Sequence, residues 1–170
     1  MSTNFAGSCV ASTDRARDES GRPRNDRPRD ALGRPLPPGS EGVPRISEDL
    51  ELAPDETLRY AQRLLGDGLA FHAHEVFEAA WKTGPAAERA LWQALAQFAV
   101  GITHIQRGNP RGAAALLRRA SDRIDEVPRP LPYGIDGDAL IESAQTLAAD
   151  LDAGAEITPS RLRPRLLTEA

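Results

Sequence analysis

Cysteine and lysine are almost missing from this chain of 170 residues. Cys9 is the single cysteine, so the chain has no disulfide framework and no thiolate metal site. Lys82 is the only lysine, and arginine supplies the rest of the positive charge; codon usage in a GC-rich genome accounts for that bias. No apolar run approaches the roughly 18 residues of a membrane span. No signal-peptide core is present either, and a cytoplasmic location is the expectation. The formal net charge of −4 gives no electrostatic reason to expect nucleic acid as a partner. Also missing are a glycine-rich phosphate loop, a nucleophile elbow and paired cysteines. Nucleotide-dependent and serine-hydrolase chemistry therefore have no support.

What is present, 40% hydrophobic and 27% charged residues, suits one modest domain with tails. Residues 1–50 alternate arginine with aspartate, from Asp14 to Asp30, and carry Pro23, Pro28, Pro35, Pro37, Pro38 and Pro44. Such a segment buries too little apolar surface to offset its ordering entropy, so a disordered Arg/Pro-rich tail is expected. A helical domain should occupy residues 53–154, with an extended C-terminal tail over 155–170. Pro54 suits a first helical turn, with Asp55 and Glu56 at the positive end of the dipole. Leu58, Ala61, Leu64 and Leu65 form its apolar face, and Gly66-Asp67-Gly68 ends it.

The central helix spans about residues 69–82, and Thr83-Gly84-Pro85 separates it from a long helix over about 86–107. On that long helix Leu91, Leu95, Phe98, Ile102 and Ile105 line one face, and Gln93, Gln97, Val100 and His104 a neighbouring one. Gly108-Asn109-Pro110 combines a C-terminal glycine, an N-cap and a proline at the first helical position. The fourth helix carries Ala113, Leu116, Leu117, Ala120 and Ile124. Asp136 caps a fifth, with Leu140, Ala144, Leu147 and Leu151 inside and Gly154 after it. Gly68, Ala73, Val76, Phe77 and Ala80 recur at one constant interval as Gly108, Ala113, Leu116, Leu117 and Ala120. Two copies of a helix-pair pattern fall short of a solenoid. The expected fold is all-α: a compact bundle of about five helices, built from two antiparallel hairpins and a C-terminal helix.

The stretch from Phe71 to Trp81 stands apart. Phe71, His74, Glu78 and Trp81 share one helical stripe, which puts a titratable pair between two rings. Phe71 and Trp81 read as core, and His72 and Glu75, off the stripe, as solvated. All three histidines, His72, His74 and His104, lie in or near this region. Ala73-His74-Glu75-Val76, Glu78 and Trp81 precede Gln93, Gln97, His104 and the run Gly108-Asn109-Pro110-Arg111-Gly112-Ala113. On these residues the segment 54–123 resembles the bacterial and archaeal family catalogued as domain of unknown function 309. The resemblance implies a helical bundle and a His-x-x-x-Glu-x-x-Trp motif suggested to bind metal. It lends no reaction, and it gives His72 no role, since that family more often carries an acid there.

From residue types alone, His74 and Glu78 can meet one divalent ion, zinc or iron, with His104 from the following antiparallel helix as third ligand. Gln93, Gln97 and Trp81 would flank that set. Such a donor set suits a small-ligand or metal site; if it is catalytic, metal-assisted hydrolysis is the class. The competing reading is a non-catalytic interaction module, in which the same His/Glu/Gln cluster only fixes helix register. The expected partner is a small molecule or a protein.

Overall fold

Three helices end in the same way, and those endings set the architecture. The computed structural model describes residues 27–168. It contains α1 (Pro54–Gly66), α2 (Ala70–Thr83), α3 (Arg89–Gln106), α4 (Pro110–Glu126) and α5 (Gly137–Asp152). Short 3-10 turns lie at Ala86–Glu88, Pro132–Gly134 and Pro159–Leu162. Gly68, Gly108 and Gly154 have φ of 77°, 72° and 71°, a conformation that costs glycine little. One residue beyond each, a backbone N–H reaches back into the finished helix. Leu69 donates to Leu64 O (2.8 Å), Asn109 to His104 O (2.9 Å) and Ala155 to Asp150 O (2.9 Å). These bonds satisfy carbonyls that a helix end would otherwise leave open, and they turn the chain sharply.

The helix starts follow equally local rules. Pro54 opens α1, where the Glu56 carboxylate accepts the Ala53 N–H at 3.2 Å. Asn109 and Asp136 cap α4 and α5, accepting the N–H groups of Gly112 and Ala139 at 3.0 Å each. Short connections fold each helix back on its predecessor, so α1 packs on α2, α2 on α3, α3 on α4 and α4 on α5. Among the described residues there is no strand, only isolated bridges. No helix among the described residues is long and apolar enough to cross a membrane. The all-α bundle expected from periodicity is the fold observed. Its core joins Leu58, Leu65, Phe77, Leu95, Phe98, Ile102, Leu117, Ile124, Leu140 and Leu147, all fully buried.

Trp92, unremarked in the sequence, is the largest of the fully buried side chains. It stacks between Phe77 at 6.4 Å and Tyr133 at 6.3 Å. Its indole N–H donates to the Glu88 carboxylate at 3.0 Å.

Both flanking segments differ from free tails. Over residues 1–26 the expected disorder lies outside the described residues, and so does Cys9. Residues 27–50, however, take a defined course, with Gly33 and Ile46 buried. A composition argument averages over a segment and misses two well-placed anchors. At the other end Leu166 is fully buried, and Gln62 of α1 clamps the chain beside it. The Gln62 Oε1 accepts the Leu166 N–H at 2.7 Å, and its Nε2 donates to Pro164 O at 3.0 Å. The Asp136 N–H adds a bond to Leu166 O at 2.9 Å.

The close approach of α3 and α4 centres on Gly101, where an added Cβ would meet Leu117 at 2.9 Å. Gly101→Val should therefore destabilise the fold by ~1–3 kcal/mol through overpacking. Gly66→Ala, with open space around the new methyl, should be neutral or add up to ~1 kcal/mol. Urea denaturation of the two variants checks both.

Candidate functional site

The two sides of α2 are chemically unlike. Ala73, Val76 and Phe77 face the core and are fully buried. Phe71, His74, Glu78 and Trp81 are half-buried together, as one helical stripe should be. Trp81 packs against the edge of the core.

Within the stripe, His74 is held at both nitrogens. Its Nδ1 lies 2.6 Å from the Phe71 carbonyl oxygen, and its Nε2 lies 3.3 Å from Glu78 Oε2. The Phe71 ring packs on the imidazole at 4.9 Å. Glu78 is shared in turn, because its Oε1 receives Lys82 Nζ at 2.8 Å. Positions 74, 78 and 82 are successive turns of one helix, so the chain His74–Glu78–Lys82 follows from spacing alone. Lys82 could have been recognised from that spacing as Glu78's partner.

Burial, the strongest influence on His74, disfavours its charged form. The Phe71 carbonyl and Glu78 pull the other way without overcoming it, and the imidazole is held below its ordinary pKa of 6.5. For Glu78 burial again favours the neutral form. Here the Lys82 ammonium, helped by His74, outweighs it, and the carboxyl titrates below its usual range. The hydrogen bond to Glu78 raises Lys82.

The other expected site residues are placed as follows. His104 Nδ1 accepts from Asn109 Nδ2 at 2.9 Å, while Asn109 Oδ1 caps α4. His104 is thus engaged in its own turn, and the structure shows only the two-residue pair of His74 with Glu78. Among the described residues no group of three His, Cys, Asp or Glu side chains is arranged to hold a metal ion. Gln93 and Gln97 are half-buried on α3, and Gln97 Oε1 is buried with no hydrogen-bond partner.

Two expectations need correction. His72, read as solvated, is 1% exposed, with Nδ1 buried and unpartnered. Glu75, also read as solvated, is half-buried, with Ile46 beside it in the wall of one cavity. Burial pushes that carboxyl up. Both corrections have one cause: a segment that helical periodicity cannot see lies over this side of α2.

Residues 58–116 match the family model described as Domain of unknown function (DUF309). It is the family that the motif on α2 resembles. The matched span runs from α1 into α4 and includes His74, Glu78 and His104. Residues 27–50 and α5 fall outside it. No curated protein and no solved structure matches the chain.

Burial lowers His72, His74 and His104 alike. Below pH 6.5 the unfolded chain therefore binds more protons than the folded one, and stability must fall. The histidine contribution is complete above the ordinary value of 6.5 and is lost as pH falls through the depressed folded values. The melting temperature should drop between pH 7.5 and 5.5. Replacing one of the three groups, as in His72→Leu, should make that drop smaller. Thermal unfolding across this range tests it, and an equal slope in the variant contradicts the assignment.

Proposed function

We propose that the His74–Glu78 pair on α2 is a binding site for a divalent cation. A conflict of lone pairs carries this reading. A neutral imidazole has one N–H and one lone pair, yet both His74 nitrogens face acceptors. With the proton on Nδ1, the Phe71 carbonyl is satisfied and the Nε2 lone pair points at a carboxylate. With the proton on Nε2, the conflict moves to the carbonyl. With Glu78 kept ionised by Lys82, only a cation at Nε2 resolves both contacts, and burial works against that cation being a proton.

The donor chemistry fits zinc or iron. Two ligands on a tetrahedral ion with bonds of about 2.0–2.2 Å stand ~3.4 Å apart. His74 Nε2 and Glu78 Oε2 are separated by 3.3 Å. A metal-bound histidine commonly donates its other N–H to a carbonyl, the part Phe71 O can play. Two protein donors would leave positions for water or substrate, and the bound ion would supply Lewis acidity of the kind used in metal-assisted hydrolysis. Lys82 serves as counter-charge to Glu78 and would give way to a bound ion.

A second reading rests on that lysine. Glu78 is already neutralised by Lys82, so an imidazolium bridging Phe71 O to Glu78 would make the cluster a register device for α2. An interaction module docking helices has less in its favour. Among the described residues the large exposed apolar side chains are Leu52 and Tyr133, too little for a helix-in-groove surface.

Glu78→Gln separates the two readings, because an amide can donate to Nε2 and end the conflict without a cation. On the cation-site reading, untagged wild-type protein binds about one equivalent of zinc(II) and melts higher with it, while the variant does neither. Its metal-free stability should stay within ~1 kcal/mol of wild type. Elemental analysis and melting curves with and without zinc decide. A wild type that takes up no zinc leaves the register reading.

A further inference from the structure

The segment that precedes the helices lies outside the matched span 58–116, yet it crosses the polar side of α2 and is anchored at two places. At the first, Gly33 lies against the ring of Phe71: a Cβ there would stand 2.1 Å from Phe71 Cγ, and its φ of +73° already disfavours a side chain. Arg29 and Arg107 flank the same ring, with guanidinium carbons 5.2 and 5.4 Å from its centroid. Arg107 Nε also donates to Leu32 O at 2.8 Å. At the second anchor Ile46 is buried beside Glu75 of α2. Beside it a cavity of about 70 Å³ opens, walled by Ser47 and Glu48 on one side and Glu75, Glu78 and Lys82 on the other.

We propose that residues 27–48 form a strap that gates access to the polar face of α2 and opens as a unit from an intact helical bundle. The cation site proposed above is what the strap would guard; the opening itself does not depend on that reading.

The strap carries its own hydrogen bonds. Leu36 N–H donates to Pro28 O (2.7 Å), Val43 N–H to Arg29 O (2.9 Å) and Gly33 N–H to Asp30 O (2.9 Å). The Asp30 carboxylate takes the N–H groups of Leu32 and Arg34 and the Arg34 side chain. None of these needs to break when the strap lifts. Ile46, 8% exposed, is the one apolar side chain within 27–48 that counts as buried, and Leu32, Leu36 and Val43 are half-buried, so the apolar burial lost is modest. On the α2 side the Phe71 ring loses its cover, and the other groups at stake are polar. Glu75 regains solvent, and so does His72, on which Arg29 and Asp30 of the strap act together with His74. Hydration of an unpartnered imidazole nitrogen and a half-buried carboxylate offsets part of the cost. Segments with few buried apolar contacts occupy the low end of local opening energies.

Two substitutions loosen the strap in the full chain without altering a helix. Gly33→Val collides with Phe71 at a left-handed backbone. Gly42→Val places its Cβ 2.7 Å from Arg29 O within the strap and should dislodge Arg29 from its seat on Phe71. Near neutral pH, carbethoxylation of His72 by diethyl pyrocarbonate, mapped by mass spectrometry, should rise about tenfold or more in both variants, as a local equilibrium shifted by ~1.4 kcal/mol requires. Hydrogen exchange in α3 and α4 should stay as in wild type. Cobalt(II), the probe ion, should bind the variants more tightly by a similar factor. Unchanged His72 reactivity in both variants overturns the proposal. Loss of α3 protection in both also overturns it, because the strap would then belong to the cooperative core. Equal cobalt affinity with an opened His72 removes the gating role and leaves the cation site standing. No cobalt uptake by any form, with His72 opened, supports the strap and removes the cation reading instead.

Discussion

The site depends on α2 being held with one face committed to the core. Ala73, Val76 and Phe77 pack there with no room for rotation, and Phe77 stacks on Trp92 of α3. A helix clamped in this way has no freedom over where its opposite stripe points. His74, Glu78 and Lys82 therefore meet as a consequence of apolar packing, and their contacts need not supply the energy that orients them. This matters for a pair whose chemistry is unfavourable by itself. A conflict between acceptors persists only where the scaffold over-determines the geometry.

Burial and charge act against each other along this stripe. Burial favours neutral His74 and neutral Glu78, but the Lys82 ammonium holds the carboxylate ionised. The result is an anion beside an imidazole that resists protonation. On the proposed cation-site reading, such an arrangement would favour a cation over either residue alone. His104 and Asn109 show a different solution one turn from the end of α3. There an amide N–H meets the Nδ1 lone pair while the amide oxygen caps α4, and that contact needs no charge.

The strap and the C-terminal segment add cover by different means. Leu166 is fully buried and tied through Gln62 to α1, so that end is part of the core. The strap offers one buried apolar side chain and a glycine on a ring, and much of what it covers is polar. Coverage of polar groups contributes little to stability, and a cover of this kind is suited to control access.

Short-range physics was legible in the sequence. Helix starts at Pro54 and Asn109, stops at Gly68, Gly108 and Gly154, the apolar faces of all five helices and the adjacency of His74 and Glu78 depend on neighbours within a turn or two. Each is a property of local backbone geometry, which needs no knowledge of distant residues. Lys82 on Glu78 belonged to the same class. The tertiary structure alone decided how α2 is covered, because contacts across long loops do so. Gly33 on Phe71, Ile46 beside Glu75 and Arg107 on Leu32 join segments with no shared periodicity. His72 and Glu75 were misplaced for this reason: a helical wheel assigns solvent to whatever faces away from neighbouring helices, and here that side meets a strap. The partner of His104 was likewise settled by competition, since Asn109 reached it through the tight turn that ends α3.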